Sequence, residues 1–119
     1  VAIITGRTTQ LVQRRAANLK IKHLLQGRED KLVALKELTS ELGYALEEVA
    51  YVGDDWPDLP AILASGLGVA VANAHSELRT RADHVTTLTG GRGAVREVCD
   101  LLLHAQDRYD AALAPYLAI

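Results

Sequence analysis

Short apolar runs alternate with helical segments along the chain, and that alternation restricts the fold more than any other feature. Val1-Ala2-Ile3-Ile4, Ile21 to Leu25, Val49-Ala50-Tyr51-Val52, Leu67 to Ala72 and His84-Val85-Thr86-Thr87 read as strands, being brief, apolar and bounded by turn residues. Leu11, Val12, Ala16 and Leu19 recur at helical spacing behind Thr8 and Thr9, either of which suits an N-cap. Lys31 to Leu42 carries Leu32, Leu35 and Leu38 in step, with Asp30 placed to cap it and Gly43 to stop it. Trp56 to Ser65 and His75 to Ala82 read as shorter helices, the first with Pro57 in its opening turn and Gly66 at its end. From Ala94 one long helix is expected to reach about Ala114, limited by Pro115. Strands that alternate with helices need crossover connections and therefore pair in parallel. The expected fold is α/β, a Rossmann-like three-layer αβα sandwich around one mostly parallel sheet, with residues 1–119 in a single domain.

Composition narrows the function. With 119 residues and 49% hydrophobic content, the chain can bury one real core. The net charge is −2 and no Lys/Arg block is dense enough to track a phosphate backbone, so no nucleic-acid partner is expected. The apolar runs are too short to cross a bilayer and no signal-peptide pattern is visible, so no membrane partner is expected either. Cys99 is the single cysteine, which fits a reducing compartment, and it is expected to pack inside the last helix. There is no methionine, and the chain opens directly on a buried-strand pattern. Upstream sequence, with one or more strands of the same domain, is therefore expected.

Ligands of open α/β sheets sit beyond the carboxyl ends of the strands, and polar motifs fall there. Gly53-Asp54-Asp55-Trp56-Pro57-Asp58 crowds its carboxylates just after a strand. Such charges repel unless a cation is present, and Mg2+ takes one or two carboxylates while keeping positions for water and phosphate. The glycine is expected to allow a sharp turn. The competing reading is that Asp54 or Asp55 caps the next helix. Thr5-Gly6-Arg7 offers a hydroxyl, backbone amides and a guanidinium at a strand-to-helix junction, which suits a phosphate or, equally, a plain capping turn. Lys31 stands against the dipole of its own helix, a position that favours an anionic partner. Arg92 and Arg96, around Gly90-Gly91-Arg92-Gly93, can reach an acidic substrate or lie on an exposed face. His23, His75, His84 and His104 show no metal-ligand spacing, and Trp56 is expected to pack beside the acidic loop.

These motifs stand in a recognisable order. Ile3-Ile4-Thr5-Gly6-Arg7, Gln26-Gly27 through Asp30-Lys31, Val52-Gly53-Asp54-Asp55 with Pro57-Asp58, Ala70 to His75, and Gly90 to Glu97 together resemble the 3-deoxy-D-manno-octulosonate 8-phosphate phosphatase family. That family is a cap-less branch of the haloacid dehalogenase superfamily. The resemblance reaches to roughly Leu103. It implies a Mg2+-assisted phosphatase of a sugar-acid phosphate, cytoplasmic, tetrameric and serving lipopolysaccharide biosynthesis. It makes Thr5 the hydroxyl that holds phosphoryl oxygens, Lys31 the cation at the nucleophile, and Asp54 the direct metal ligand with Asp55 and Asp58 in support. Gly6 and Arg7 would belong to the substrate pocket, with Arg92 and Arg96 near its entrance. The departure is the nucleophile: the family's Asp-x-Asp does not occur anywhere in this chain. By that resemblance it lies upstream, and the chain alone is expected to be inactive. Two other readings stay open, a phosphatase of another sugar-acid phosphate of the sialic-acid type and a non-catalytic domain that kept the fold for oligomerisation.

Overall fold

The computed structural model describes residues 1–118. Five strands and six α-helices follow one another in these residues: β1 Ala2–Ile4, α1 Gln10–Asn18, β2 His23–Leu25, α2 Lys31–Leu42, β3 Ala50–Gly53, α3 Leu59–Ala64, β4 Leu67–Ala70, α4 Ser76–Arg81, β5 His84–Val85, α5 Ala94–Ala105 and α6 Tyr109–Leu117. Single 3-10 turns occupy Leu46–Glu48 and Trp56–Asp58. The α/β alternation and the parallel pairing are as expected. The sheet, however, is in two pieces. β1 pairs only with β2, setting Ile3 against Leu24, while β3, β4 and β5 form a separate parallel sheet with Tyr51 against Gly68 and Val69 against His84. Among the described residues, the second edges of β1 and β3 therefore both lack a strand partner.

The helix ends show how local chemistry sets the frame. Thr9, not Thr8, caps α1 by accepting the Val12 N–H at 3.1 Å. Lys20 then takes a left-handed φ of 58°, and the Ile21 N–H bonds back to the Ala16 carbonyl, so β2 starts later than the apolar run suggests. Lys31–Leu42 and its stop at Gly43 (φ 79°) agree with expectation. Asp30 stands at the N-cap position without capping, because Arg28 grips its carboxylate with two nitrogens at 2.8 and 2.9 Å.

The expected long last helix is broken. Asp107 adopts φ 58°, its N–H bonds to His104 and that of Arg108 to Leu103, closing α5 without any glycine. Pro115 lies inside α6 rather than beyond it. Cys99 is exposed, correcting the packing expectation: α5 buries Ala94 and Val98, and the residue after Val98 turns about 100° away from that face. The core gathers around β3 and β4, where Leu35, Tyr51, Ile62, Ala70, Val71 and Leu78 meet. Burying each large aliphatic side chain there contributes about 2 kcal/mol. No membrane-spanning helix occurs among the described residues.

Candidate active site

The organising residue is Asp58. Residues two apart in a strand share a face, so Tyr51 and Gly53 point the same way from β3. The Asp58 side chain occupies the space where a Cβ on Gly53 would stand. Gly53 is thus glycine because a carboxylate packs on its Cα; it has no left-handed φ, and the sharp-turn expectation is corrected. So placed, Asp58 is 3% exposed and accepts four donors. Oδ1 takes the Lys31 ammonium and the Tyr51 hydroxyl, each at 2.8 Å, and Oδ2 takes the N–H groups of Asp54 at 3.0 Å and Asp55 at 3.2 Å. A carboxylate has about four acceptor positions, and all are filled. Burial opposes the charge on Asp58, but Lys31, the loop amide and Tyr51 outweigh it and hold the carboxyl below its ordinary range.

The other acids of the loop are placed differently. Asp55 caps the following turn, accepting the Trp56 N–H at 2.8 Å, so the capping reading holds for that residue. Asp54 is exposed, and its carboxyl is pushed up by partial burial and then by the charge of Asp58. Trp56 is 62% exposed and meets the His75 ring edge-on at 5.2 Å, while the His75 N–H bonds to the Asp54 carbonyl at 2.9 Å. Trp56 thus flanks the loop with most of its surface exposed. Among the described residues no three His, Cys, Asp or Glu side chains converge as a metal-holding group. The expectation of Asp54 as direct ligand with Asp55 and Asp58 in support does not require three convergent carboxylates. Asp58 is saturated by other donors, Asp55 caps, and Asp54 is the carboxylate turned outward. A Mg2+ ion needs only one or two protein carboxylates, so an exposed Asp54, costly to ionise by itself, fits part of a site whose remaining ligands come from elsewhere.

Lys31 meets an anion, as its position against the dipole suggested, and that anion is Asp58. The ion pair ties α2 to the end of β3. The Thr5–Arg7 turn is tied to the loop that runs from β2 to Lys31: the Thr5 carbonyl accepts from Arg28 N–H at 3.0 Å and the Arg7 carbonyl from Gly27 N–H at 3.1 Å. Thr5 Oγ1 accepts the Arg7 N–H at 3.2 Å. Over Gly6 lies the Glu29 carboxylate, which fills the space of a Cβ there. Arg7 is exposed.

Arg96 is not drawn to this rim; its guanidinium pairs with Asp100 at 3.1 Å on the open face of α5. Arg92 is exposed in its loop. What ties that loop to the rim is Asn73 Oδ1, which accepts the Gly90 N–H at 2.8 Å, and Glu97, which accepts the Thr87 and Leu88 N–H groups. Tyr51, Asn73 and Glu97 were not singled out from sequence; for Tyr51 the available signal was its two-residue spacing from Gly53. A concavity of about 330 Å3 lined by Val1, Leu19 to Lys22 and His23 lies at the opposite, amino-terminal ends of β1 and β2, away from this chemistry.

Sequence comparison matches residues 20–98 to the haloacid dehalogenase-like hydrolase family. The chain belongs to that family. A haloacid dehalogenase-like chain with these motifs has close relatives. The 3-deoxy-D-manno-octulosonate 8-phosphate phosphatase of Escherichia coli K12 is 58% identical over 94% of this chain and 60% of its own length, and the Yersinia pestis enzyme is 55% identical over the same shares. The chain thus spans about three-fifths of the curated relatives it matches. Among solved structures, a probable YrbI-family phosphatase from Pseudomonas syringae superposes with a TM-score of 0.97 at 55% identity, covering 99% of this chain and 67% of that one. The Moraxella catarrhalis 3-deoxy-D-manno-octulosonate 8-phosphate phosphatase, solved with a magnesium ion, a phosphate ion and KDO, gives 0.95 at 51% identity, covering 97% and 66%.

Proposed function

We propose that the intact protein is a phosphatase of a sugar-acid phosphate, with 3-deoxy-D-manno-octulosonate 8-phosphate as the favoured substrate, and that residues 1–119 are part of its single catalytic domain. The observation that carries this reading is the pairing, at the end of β3, of the hydrogen-bonded Lys31–Asp58–Tyr51 cluster, buried at Asp58 and Tyr51, with an exposed Asp54 whose charge is disfavoured. It is supported by 58% identity to a named phosphatase over nearly the whole chain. In this reading Asp54 holds Mg2+, with Asp55 in support through water and Asp58 through the loop amides it fixes. Bound there, the ion would offset phosphate charge as a Lewis acid.

The chain's own residues do the rest. Thr5 offers its hydroxyl to phosphoryl oxygens, with the Gly6 amide beside it. Lys31 supplies positive charge to the transferring group while Asp58 sets its position. Arg7 lies in the substrate pocket, and Arg92 and Arg96 serve near the entrance of a neighbouring subunit's site in the tetramer. The nucleophile belongs to an Asp-x-Asp segment outside this chain, on a strand that fits between the unpaired edges of β1 and β3. That aspartate attacks phosphorus as the bond to the sugar oxygen breaks, the second aspartate of the segment protonates that oxygen, and water then hydrolyses the aspartyl-phosphate to inorganic phosphate and the free carboxylate. A cytoplasmic homotetramer is part of the same proposal.

The test is phosphate release by the full-length protein from a panel of sugar-acid phosphates, with and without Mg2+. The expected result is Mg2+-dependent turnover, fastest on 3-deoxy-D-manno-octulosonate 8-phosphate, with none from residues 1–119 alone. Fastest turnover on a sialic-acid-type phosphate replaces the substrate, and no turnover on any member contradicts the reading.

A further inference from the structure

Tyr51 is buried, yet its hydroxyl bonds to Asp58 Oδ1 at 2.8 Å, on the oxygen that also accepts Lys31. Phenylalanine would fill the same core volume, so packing alone does not call for the hydroxyl. Its placement follows from strand geometry. Tyr51 and Gly53 share a face, the absent Cβ of Gly53 admits Asp58, and the Tyr51 ring spans the distance to that carboxylate. With Lys31 as the only donor on Oδ1, the carboxylate would follow the ammonium whenever it turned toward a phosphoryl group. The second donor separates the two motions. Because Oδ2 holds the Asp54 and Asp55 amides, any rotation of the Asp58 carboxylate also moves the loop that aims Asp54.

We propose that Tyr51 is a positioning residue: its hydroxyl locks the Asp58 carboxylate, which in turn fixes the Asp54 loop for metal binding and sets the Lys31 ammonium. Burial, then the bond to Asp58, push the phenol's pKa upward, so it stays a neutral donor. The inference rests on the phosphatase reading above.

The test compares full-length wild type, Tyr51→Phe and the core control Ile62→Val, which removes one methyl from a fully buried side chain that makes no hydrogen bond to Asp58. Mg2+ binding is measured by isothermal titration calorimetry, turnover with 3-deoxy-D-manno-octulosonate 8-phosphate, and Tm by calorimetry. Tyr51→Phe is expected to weaken the Mg2+ Kd and lower kcat, each about tenfold, the scale of losing a partner that orients a ligand. KM should change less than twofold, while Ile62→Val lowers Tm and leaves Kd and kcat unchanged. If Tyr51→Phe lowers only Tm, with Mg2+ Kd and kcat at wild-type values, the hydroxyl is structural and the inference is overturned. If wild type itself neither binds Mg2+ nor turns over, the phosphatase reading fails, and this inference falls with it for a separate, identifiable reason.

Discussion

The two ends of the Gly53–Asp58 loop carry the same side chain in opposite circumstances. Asp58 is buried with every acceptor position filled, and its partners hold it ionised. Asp54 is exposed, and burial and its neighbour's charge press it toward the neutral form. Within one loop, one carboxylate builds structure and the other holds a charge that the fold alone does not reward. A group left in that second state is a candidate for function. The contrast teaches that clustered acids in a sequence need not act as one metal cradle.

Breaking the structural end gives the largest expected effect. Lys31→Met leaves the Asp58 charge buried without its ammonium and should destabilise the intact protein by ~3 kcal/mol in urea unfolding. A loss below ~1 kcal/mol would place the pair among exposed, weak contacts. The pH dependence of stability comes next. Asp58 has a folded pKa below its unfolded value, so its contribution is present above about pH 4 and is lost as pH falls through the folded pKa. Unfolding of Asp58→Asn, followed by calorimetry across the acid range, should show a flatter acid limb than wild type; an unchanged limb breaks the contrast from this side.

The smallest effect has the opposite sign. Asp54 has a raised folded pKa, so it favours folding only when protonated, below its unfolded value, and that contribution disappears as pH rises through the folded pKa. At neutral pH Asp54→Asn should therefore raise stability, by ~0.5 kcal/mol once solvent screening of an exposed group is allowed for. A drop in Tm for that variant would put both aspartates in the same structural role.

What the sequence revealed was local. The Lys31–Leu42 helix and its Gly43 stop are written in cap residues and leucine spacing, and the strand positions in short apolar runs. The α5–α6 break was hidden because a non-glycine residue, Asp107, takes the left-handed turn. The division into two sheets was hidden because pairing joins residues remote in sequence, such as Ile3 with Leu24. For the same reason the Lys31–Asp58 contact, across a helix and a strand, could not be read directly, although Lys31's place against its helix dipole signalled an anionic partner. Only the geometry of Gly53 separates the roles of Asp54, Asp55 and Asp58.

The most direct test is Mg2+ titration of the intact protein as wild type, Asp54→Asn and Asp55→Asn. Asp54 is the outward carboxylate of the loop, so Asp54→Asn should abolish binding while Asp55→Asn keeps it within about tenfold of wild type. Wild-type affinity in Asp54→Asn would contradict the assignment of that residue.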